Sequence, residues 1–138
     1  MTFPILPIDR QFTYVSGFAD EPCASVCTAL GLKNGGFRNG ICIDSEGKEF
    51  RVTHAELPPE AKGFRGWLRS LRNPLIQAKL TFAETGRTVP FEELRQQVAA
   101  VVEADRDFYE ETGDYSHRRG RVQRSKTYRD LISCFAGR

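Results

Sequence analysis

The chain has 138 residues, of which 40% are hydrophobic and 28% are charged, and its formal net charge is +2. This length and composition are typical of one globular domain and exclude a largely disordered chain. No apolar stretch approaches the ~20 residues that span a bilayer, and the N-terminus lacks a basic leader followed by an apolar run. We therefore expect a cytoplasmic protein without membrane contact.

The first third of the chain is predicted to contain a strand and a helix. Alternating aromatic residues over 11–18 favour the strand. Asp20 is then expected to cap a helix that ends at Gly31. Cys23 and Cys27 would share one face of that helix and could supply two metal ligands, but no second pair has ligand spacing. We favour small core positions for both, and we predict no metal site and no disulfide framework.

The middle of the chain is predicted to contain a hairpin, a helix and a strand. Residues 36–53 read as a hairpin turning at 45–47. A helix follows Pro58, because apolar residues recur there at intervals of three and four. The clearest strand covers 75–83, where apolar and polar residues alternate, and a turn is predicted at 85–87. The buried stripe predicted for the helix consists of Phe64, Trp67, Leu68 and Leu71.

The C-terminal third is predicted to hold the longest helix, an exposed loop and a short helix. Pro90 opens the long helix, whose inner stripe extends to Phe108. Residues 113–123 show no periodicity and are predicted to be a loop. Thr127 and Asp130 resemble a capping box that starts the last helix. Together these elements predict one α+β domain over 1–138, with a mainly antiparallel sheet of about four strands packed with about four helices. The inner stripe of the long helix is predicted to contain Leu94, Val98, Val101, Val102 and Phe108.

Charge is distributed unevenly along the C-terminal half. Residues 81–115 contain nine acidic and three basic residues, a local charge of −6, whereas residues 116–138 contain seven basic and one acidic, a local charge of +6. Charges are screened beyond roughly 8 Å at physiological salt, so a partner responds to the local patch and not to the total. Such runs indicate either two binding surfaces or two solvated faces that neutralise each other.

No arrangement of residues indicates catalysis. His54 and His117 lie in separate segments without a motif, and the glycine-rich stretch 31–40 lacks the pattern of a phosphate-binding loop. A thiol nucleophile such as Cys42 would need a base that the sequence does not supply. The residues therefore predict no catalytic motif and no cofactor, and a small thiol enzyme is the least favoured of the alternatives.

Nucleic-acid binding through the basic run is an alternative. Arginines close to Tyr115 and Tyr128 could combine phosphate contacts with base stacking. However, the neighbouring −6 segment would repel a long polyanion, and the sequence pI of about 8.4 is below the range usual for nucleic-acid-binding domains. The alternative surface consists of Arg118, Arg119, Arg121, Arg124 and Arg129.

Seven stretches of the chain form a recognisable set of mostly turn and core positions. They are 36–37, 47–50 (GKEF), 63–75 (GFRGWLRSLRNPL), 80–82 (LTF), 85–86, 91–94 (FEEL) and 126–132 (KTYRDLI), and together they contain 35 of the 138 residues. In these stretches the chain resembles the small immunity proteins of bacterial polymorphic-toxin and contact-dependent growth inhibition systems.

The resemblance implies a non-enzymatic protein that binds a cognate toxin C-terminal domain and blocks its active site. The expected toxin is a nuclease, because an acidic helix end would complement a basic substrate cleft. We expect the acidic residues at the end of the long helix to form the contact, with two tyrosines as aromatic anchors. The predicted partner-binding residues are Glu103, Asp107, Tyr109, Glu110, Glu111, Asp114 and Tyr115.

Overall fold

The computed structural model describes residues 1–9, 14–15, 24–28, 40–56, 59, 63–64 and 75–135 of the protein. The described residues contain six strands: β1 (Ile5–Asp9), β2 (Tyr14–Val15), β3 (Ala24–Thr28), β4 (Ile41–Asp44), β5 (Lys48–Glu56) and β6 (Leu75–Thr88). Four α-helices follow them: α1 (Phe91–Ala104), α2 (Arg106–Glu111), α3 (Tyr115–Arg124) and α4 (Tyr128–Ser133). The predicted α+β class is confirmed.

The chain divides into two compact units, and β5 and β6 contribute residues to both. The first unit comprises 1–20, 41–50 and 84–138, and the second comprises 21–40 and 51–83. Within the first unit the strands follow the order β2-β1-β4-β5-β6, and within the second the order is β5-β6-β3. β1 pairs antiparallel with both β2 and β4, and β3 pairs antiparallel with β6. The predicted single domain over 1–138 stays a prediction.

The core of the first unit lies between its strands and its helices. Leu6 and Ile43 come from the strands and pack with residues of α1, α3 and α4. In α1 the predicted inner residues Leu94, Val98 and Val102 are buried, because a spacing of three and four places them on one side of the helix. None of the described helices is long and apolar enough to cross a bilayer.

The predicted hairpin is confirmed by β4, β5 and the turn between them. The buried carboxylate of Asp44 organises that turn, because its Oδ1 accepts hydrogen bonds from the amides of Glu46 and Lys48, each at 2.9 Å. Its Oδ2 accepts a third bond from the amide of Thr2 at 3.0 Å. One side chain therefore joins the N-terminal segment to the hairpin. Residues 36–39 of the predicted hairpin lie outside the described residues.

The helix predicted from Asp20 to Gly31 is wrong over the part that the structure describes. Residues 24–28 form β3, which pairs with β6 from Ala24 opposite Lys79 to Thr28 opposite Leu75. An isolated helix of about ten residues is marginal in water. Pairing with a 14-residue strand supplies backbone partners instead, and the β-branched residue types in this segment favour a strand.

The turn predicted at 85–87 is also wrong, because β6 continues to Thr88. Gly86 lies in the strand with a φ of +79°. The hydroxyl of Thr85 donates to the Glu49 carboxylate at 3.0 Å, and Arg87 pairs with Glu49 at 3.5 Å and Glu93 at 2.5 Å. These cross-strand and strand-to-helix contacts hold the segment extended where local sequence indicates a turn.

Two phenylalanines predicted to be buried are exposed. Phe64 is 72% exposed and Phe108 is 61% exposed. The long helix ends at Ala104, so Phe108 belongs to a different helix axis and leaves the inner stripe. The other predicted stripe residues after Pro58, namely Trp67, Leu68 and Leu71, lie outside the described residues.

Candidate functional site

The acidic segment is folded as a short helix between two sharp turns. α1 stops at Ala104, and α2 begins at Arg106 after one intervening residue. At the end of α2, the amide of Gly113 donates to the Glu110 carbonyl at 3.0 Å and the amide of Asp114 donates to the Tyr109 carbonyl at 2.9 Å. These bonds form a Schellman motif, which requires a left-handed residue that Gly113 supplies with a φ of +71°.

The acidic residues do not lie together at the end of one long helix, as the sequence predicted, because α2 is a separate helix with its own dipole. Asp107 lies in the first turn of α2, where negative charge is favourable, and not beyond the end of one long helix. Glu110 and Glu111 occupy the last turn of α2, where the dipole disfavours them. Of these three carboxylates, only Glu110 and Glu111 therefore lie where the dipole of α2 disfavours negative charge.

Two tyrosines fix α2 and α3 to the core. Tyr109 and Tyr115 are each 7% exposed. The Tyr115 hydroxyl donates to the Glu103 carboxylate, and this bond is the main cause that raises the pKa of Tyr115. Both rings are buried in the core and do not project from the surface. The prediction that they act as aromatic anchors is therefore corrected.

Arg106 neutralises part of the acidic segment. Its Nε lies 2.5 Å from Glu110 Oε1, and its Nη1 lies 4.0 Å from Glu103 Oε1. The guanidinium also lies over the Tyr115 ring, 5.0 Å from its centroid. The hydrogen bond with Glu110 is the main cause that raises the pKa of Arg106. Glu103 and Glu110 are thus exposed but share one cation.

Asp114 and Arg118 form the link between the acidic segment and α3. The Arg118 Nη2 lies 2.6 Å from Asp114 Oδ2, and its Nη1 donates to the Cys134 carbonyl at 3.0 Å. The guanidinium also contacts the faces of Tyr109 and Phe135, at 5.1 and 5.2 Å. The Arg118 hydrogen bond lowers the pKa of Asp114. This carboxylate is therefore structural and only partly exposed.

The unpaired carboxylates of the segment lie on the same short helix as an exposed aromatic ring. Asp107 and Glu111 are exposed and make no ion pair with any described residue. They lie four residues apart on α2, so they face the same side and repel each other by about 0.2–0.5 kcal/mol. Phe108 lies beside them, with its ring edge-on to Tyr109 at 5.3 Å. We call Phe108 and the exposed carboxylates Glu103, Asp107, Glu110 and Glu111 the acidic surface.

The structure thus brings the predicted carboxylates together but changes their roles. Asp107 and Glu111 present free charge, Glu103 and Glu110 share Arg106, and Asp114 is held by Arg118. The sequence pattern did not indicate Phe108 as a surface residue, because its position continues the apolar stripe of α1. The change of helix axis near residue 105 leaves no signal in that pattern.

The basic run is divided between internal contacts and solvent. Arg118 and Arg121 donate to the carbonyls of Cys134 and Ser133, at 3.0 and 3.1 Å, at the end of α4. Cations at this end of a helix satisfy its free carbonyls and complement its dipole. The exposed members are Arg119, Arg124, Lys126 and Arg129.

The predicted loop at 113–123 is wrong, because most of it forms α3. Tyr115 and Val122 are its buried residues, and Arg118 lies between them with its guanidinium against two aromatic rings. Long arginine side chains can pack along apolar surface in this way. The apolar face of this helix therefore includes an arginine. Because arginine is a charged residue type, the sequence of this segment does not show the regular apolar spacing of a helix.

The described residues contain no group of three or more His, Cys, Asp or Glu side chains that could hold a metal ion. Cys42 is 1% exposed in β4, so a substrate could not reach its thiol in this fold. His54 is exposed on β5, and His117 is exposed and lies 3.5 Å from Asp114.

No protein-family model matches the sequence, and neither a curated protein nor a solved structure gives a significant match.

Proposed function

We propose that this chain is a non-enzymatic immunity protein that binds a cognate toxin domain through the acidic surface, with a basic nuclease as the expected toxin. The observation that carries the proposal is the exposed Phe108 beside the unpaired carboxylates of Asp107 and Glu111. The resemblance of the sequence to immunity proteins supports the class of function.

The charge on the surface favours a basic partner. Residues 103–114 contain six acidic residues and one basic residue, a local charge of −5. A surface of this kind steers a basic protein during diffusional encounter and raises the association rate at low salt. It also disfavours acidic proteins, which gives specificity.

Phe108 supplies an exposed apolar group on the same helix as three of these carboxylates. Burying a whole phenylalanine side chain contributes about 1.5–3 kcal/mol. Since 61% of Phe108 is exposed, a partner that covers it would gain about 1–2 kcal/mol, or roughly five- to thirty-fold in Kd. An aromatic anchor with a polar rim is the usual arrangement of an interface hot spot.

The test is a binding experiment with the toxin domain encoded beside this chain. We expect a tight complex whose association slows as salt increases. The double variant D107K/E111K should lower the association rate at least about tenfold. The matched control E46K/E84K changes the total charge equally, on residues outside the acidic surface, and should have a much smaller effect.

A second pair of variants tests the aromatic contact. Phe108→Ala should raise the dissociation rate and lower the free energy of unfolding by only about 0.5–1.5 kcal/mol, because the ring is mostly in solvent and loses one edge-on contact with Tyr109. Phe64→Ala removes a similarly exposed ring from the second unit and serves as the control. Absence of a complex would refute the proposed function, whereas a complex insensitive to all these variants would refute only the choice of surface.

Nucleic-acid binding is the second candidate, favoured by the exposure of Arg119, Arg124, Lys126 and Arg129. It is weaker because Arg118 and Arg121 already donate to carbonyls of the same unit. It predicts salt-sensitive binding to generic RNA or DNA that weakens with each exposed arginine removed. No binding at low salt would eliminate it.

A further inference from the structure

The C-terminal helices of the first unit border a small cavity that is largely open to solvent. Its volume is about 220 Å³, and it is lined by Arg121, Arg124, Ser125, Asp130, Ser133 and Cys134. The cavity is separate from the residues of the acidic surface. It combines two guanidinium groups with one carboxylate.

The polar groups of this cavity differ in what they already bind. The Arg121 guanidinium is anchored by its bond to the Ser133 carbonyl at 3.1 Å. The hydroxyls of Ser125 and Ser133 donate to the carbonyls of Arg121 and Arg129, at 2.9 and 2.7 Å, so only their lone pairs remain for a ligand. Hydrogen bonds within the protein therefore fix the positions of the Arg121, Ser125 and Ser133 side chains.

Two charged side chains of the cavity have no partner among the described residues. Arg124 makes no hydrogen bond or ion pair, and the Asp130 carboxylate pairs with neither arginine. A cation and an anion that share a cavity without pairing leave room for a ligand between them. Such a ligand needs an acceptor for the guanidinium groups and a donor for the carboxylate.

The balance of charge selects the class of ligand. The lining has two positive groups and one negative group, which leaves one positive charge in excess. This excess of positive charge favours a dianion over a neutral zwitterion such as an amino acid. Guanidinium groups match the oxygens of phosphate, and Asp130 could accept a hydrogen bond from a hydroxyl group.

We propose that this cavity binds a sugar phosphate, with the phosphate against Arg121 and Arg124 and a sugar hydroxyl donating to Asp130. The site holds one phosphate group and differs from a groove that follows a nucleic-acid backbone. It does not depend on toxin binding.

The test is calorimetric titration of the full chain at constant ionic strength with ribose 5-phosphate and with sulfate. Sulfate is a dianion without a hydroxyl donor, so ribose 5-phosphate should bind about tenfold more tightly, the value of one charge-assisted hydrogen bond. Arg124→Gln should weaken both ligands about tenfold, because it removes a charged donor. Arg119→Gln removes an exposed arginine of the same helix that does not line the cavity and should change neither.

Asp130→Ala separates the two parts of the proposed site. Sulfate binding should become tighter, because a repelling carboxylate is removed, and the preference for ribose 5-phosphate should disappear. Thermal unfolding of each variant checks that the fold is retained. The proposal is wrong if neither ligand binds saturably or if Arg119→Gln has the effect of Arg124→Gln. It is also wrong if the free amino acid glycine, a neutral zwitterion, binds more tightly than both anions.

Discussion

Replacing Gly47 by alanine tests how the hairpin turn is packed against the last helix. Gly47 has a φ of +82°, and a Cβ at this position would lie 2.5 Å from the Tyr128 Cζ atom. Tyr128 cannot move freely, since its hydroxyl donates to the Val89 carbonyl at 2.7 Å and its ring packs edge-on against Phe91 at 5.4 Å. The substitution therefore strains the backbone and displaces a ring.

The expected cost has two parts. A left-handed conformation costs a residue other than glycine about 1–2 kcal/mol. Displacement of Tyr128 loses a hydrogen bond worth about 1 kcal/mol and an aromatic contact worth about 0.5–1.5 kcal/mol. The free energy of unfolding should fall by about 3 kcal/mol, and the Tm by roughly 10 °C for a chain of this size.

A double-mutant cycle followed by urea unfolding separates the two parts. In a Tyr128→Ala background, Gly47→Ala should cost only the backbone part, which leaves an interaction energy of about 1.5–2.5 kcal/mol. Gly113→Ala is the matched control, because Gly113 also has a positive φ, but a Cβ added there would meet no described atom within 4 Å beyond its two chain neighbours. An equal cost of Gly47→Ala in both backgrounds would refute the packing argument.

Two further substitutions test the polar contacts of the first unit. Asp44→Asn should lower the free energy of unfolding by about 1–3 kcal/mol, because an amide would turn a donor toward the Thr2 amide, whereas the exposed Glu46→Gln should change it by less than about 0.5 kcal/mol in the same urea titration. Arg118 lowers the pKa of Asp114 below its ordinary 3.8, so the stability from this pair is complete above that value and is lost as pH falls through the lowered pKa. Asp114→Asn should cost at most about 1 kcal/mol at neutral pH and flatten the decline of stability below about pH 4. Parallel stability curves for the variant and the wild type would contradict this reasoning.

The elements that were predicted correctly are those whose signals are local. Thr127 accepts a hydrogen bond from the Asp130 amide at 3.1 Å, as the capping pattern predicted. The turn at 45–47 lies between β4 and β5, and α1 begins directly after Pro90 with Glu92 and Glu93 in its first turn. Caps, glycine turns and regular apolar spacing act within a few residues, so a sequence pattern is sufficient to find them.

The elements that were predicted wrongly depend on contacts with residues outside their own segments. Residues 24–28 form a strand because β6, about 50 positions later, pairs with them. α3 forms because Arg118 packs on Tyr109 and Phe135, which come from two other segments. Neither contact leaves a periodic pattern in its own segment.

The candidate site shows the same division between local and distant effects. The sequence by itself determined the α+β class, the acidic and basic runs, and the positions of most caps and turns, because these depend on composition and on neighbours a few residues apart. The ion pairs of Glu103, Glu110 and Asp114 join residues three or four positions apart, so they too are local contacts whose spacing is present in the sequence. The tertiary structure alone decided that Phe108 faces solvent and that Arg124 and Asp130 share a cavity, because side-chain direction depends on where each helix ends and what packs against it.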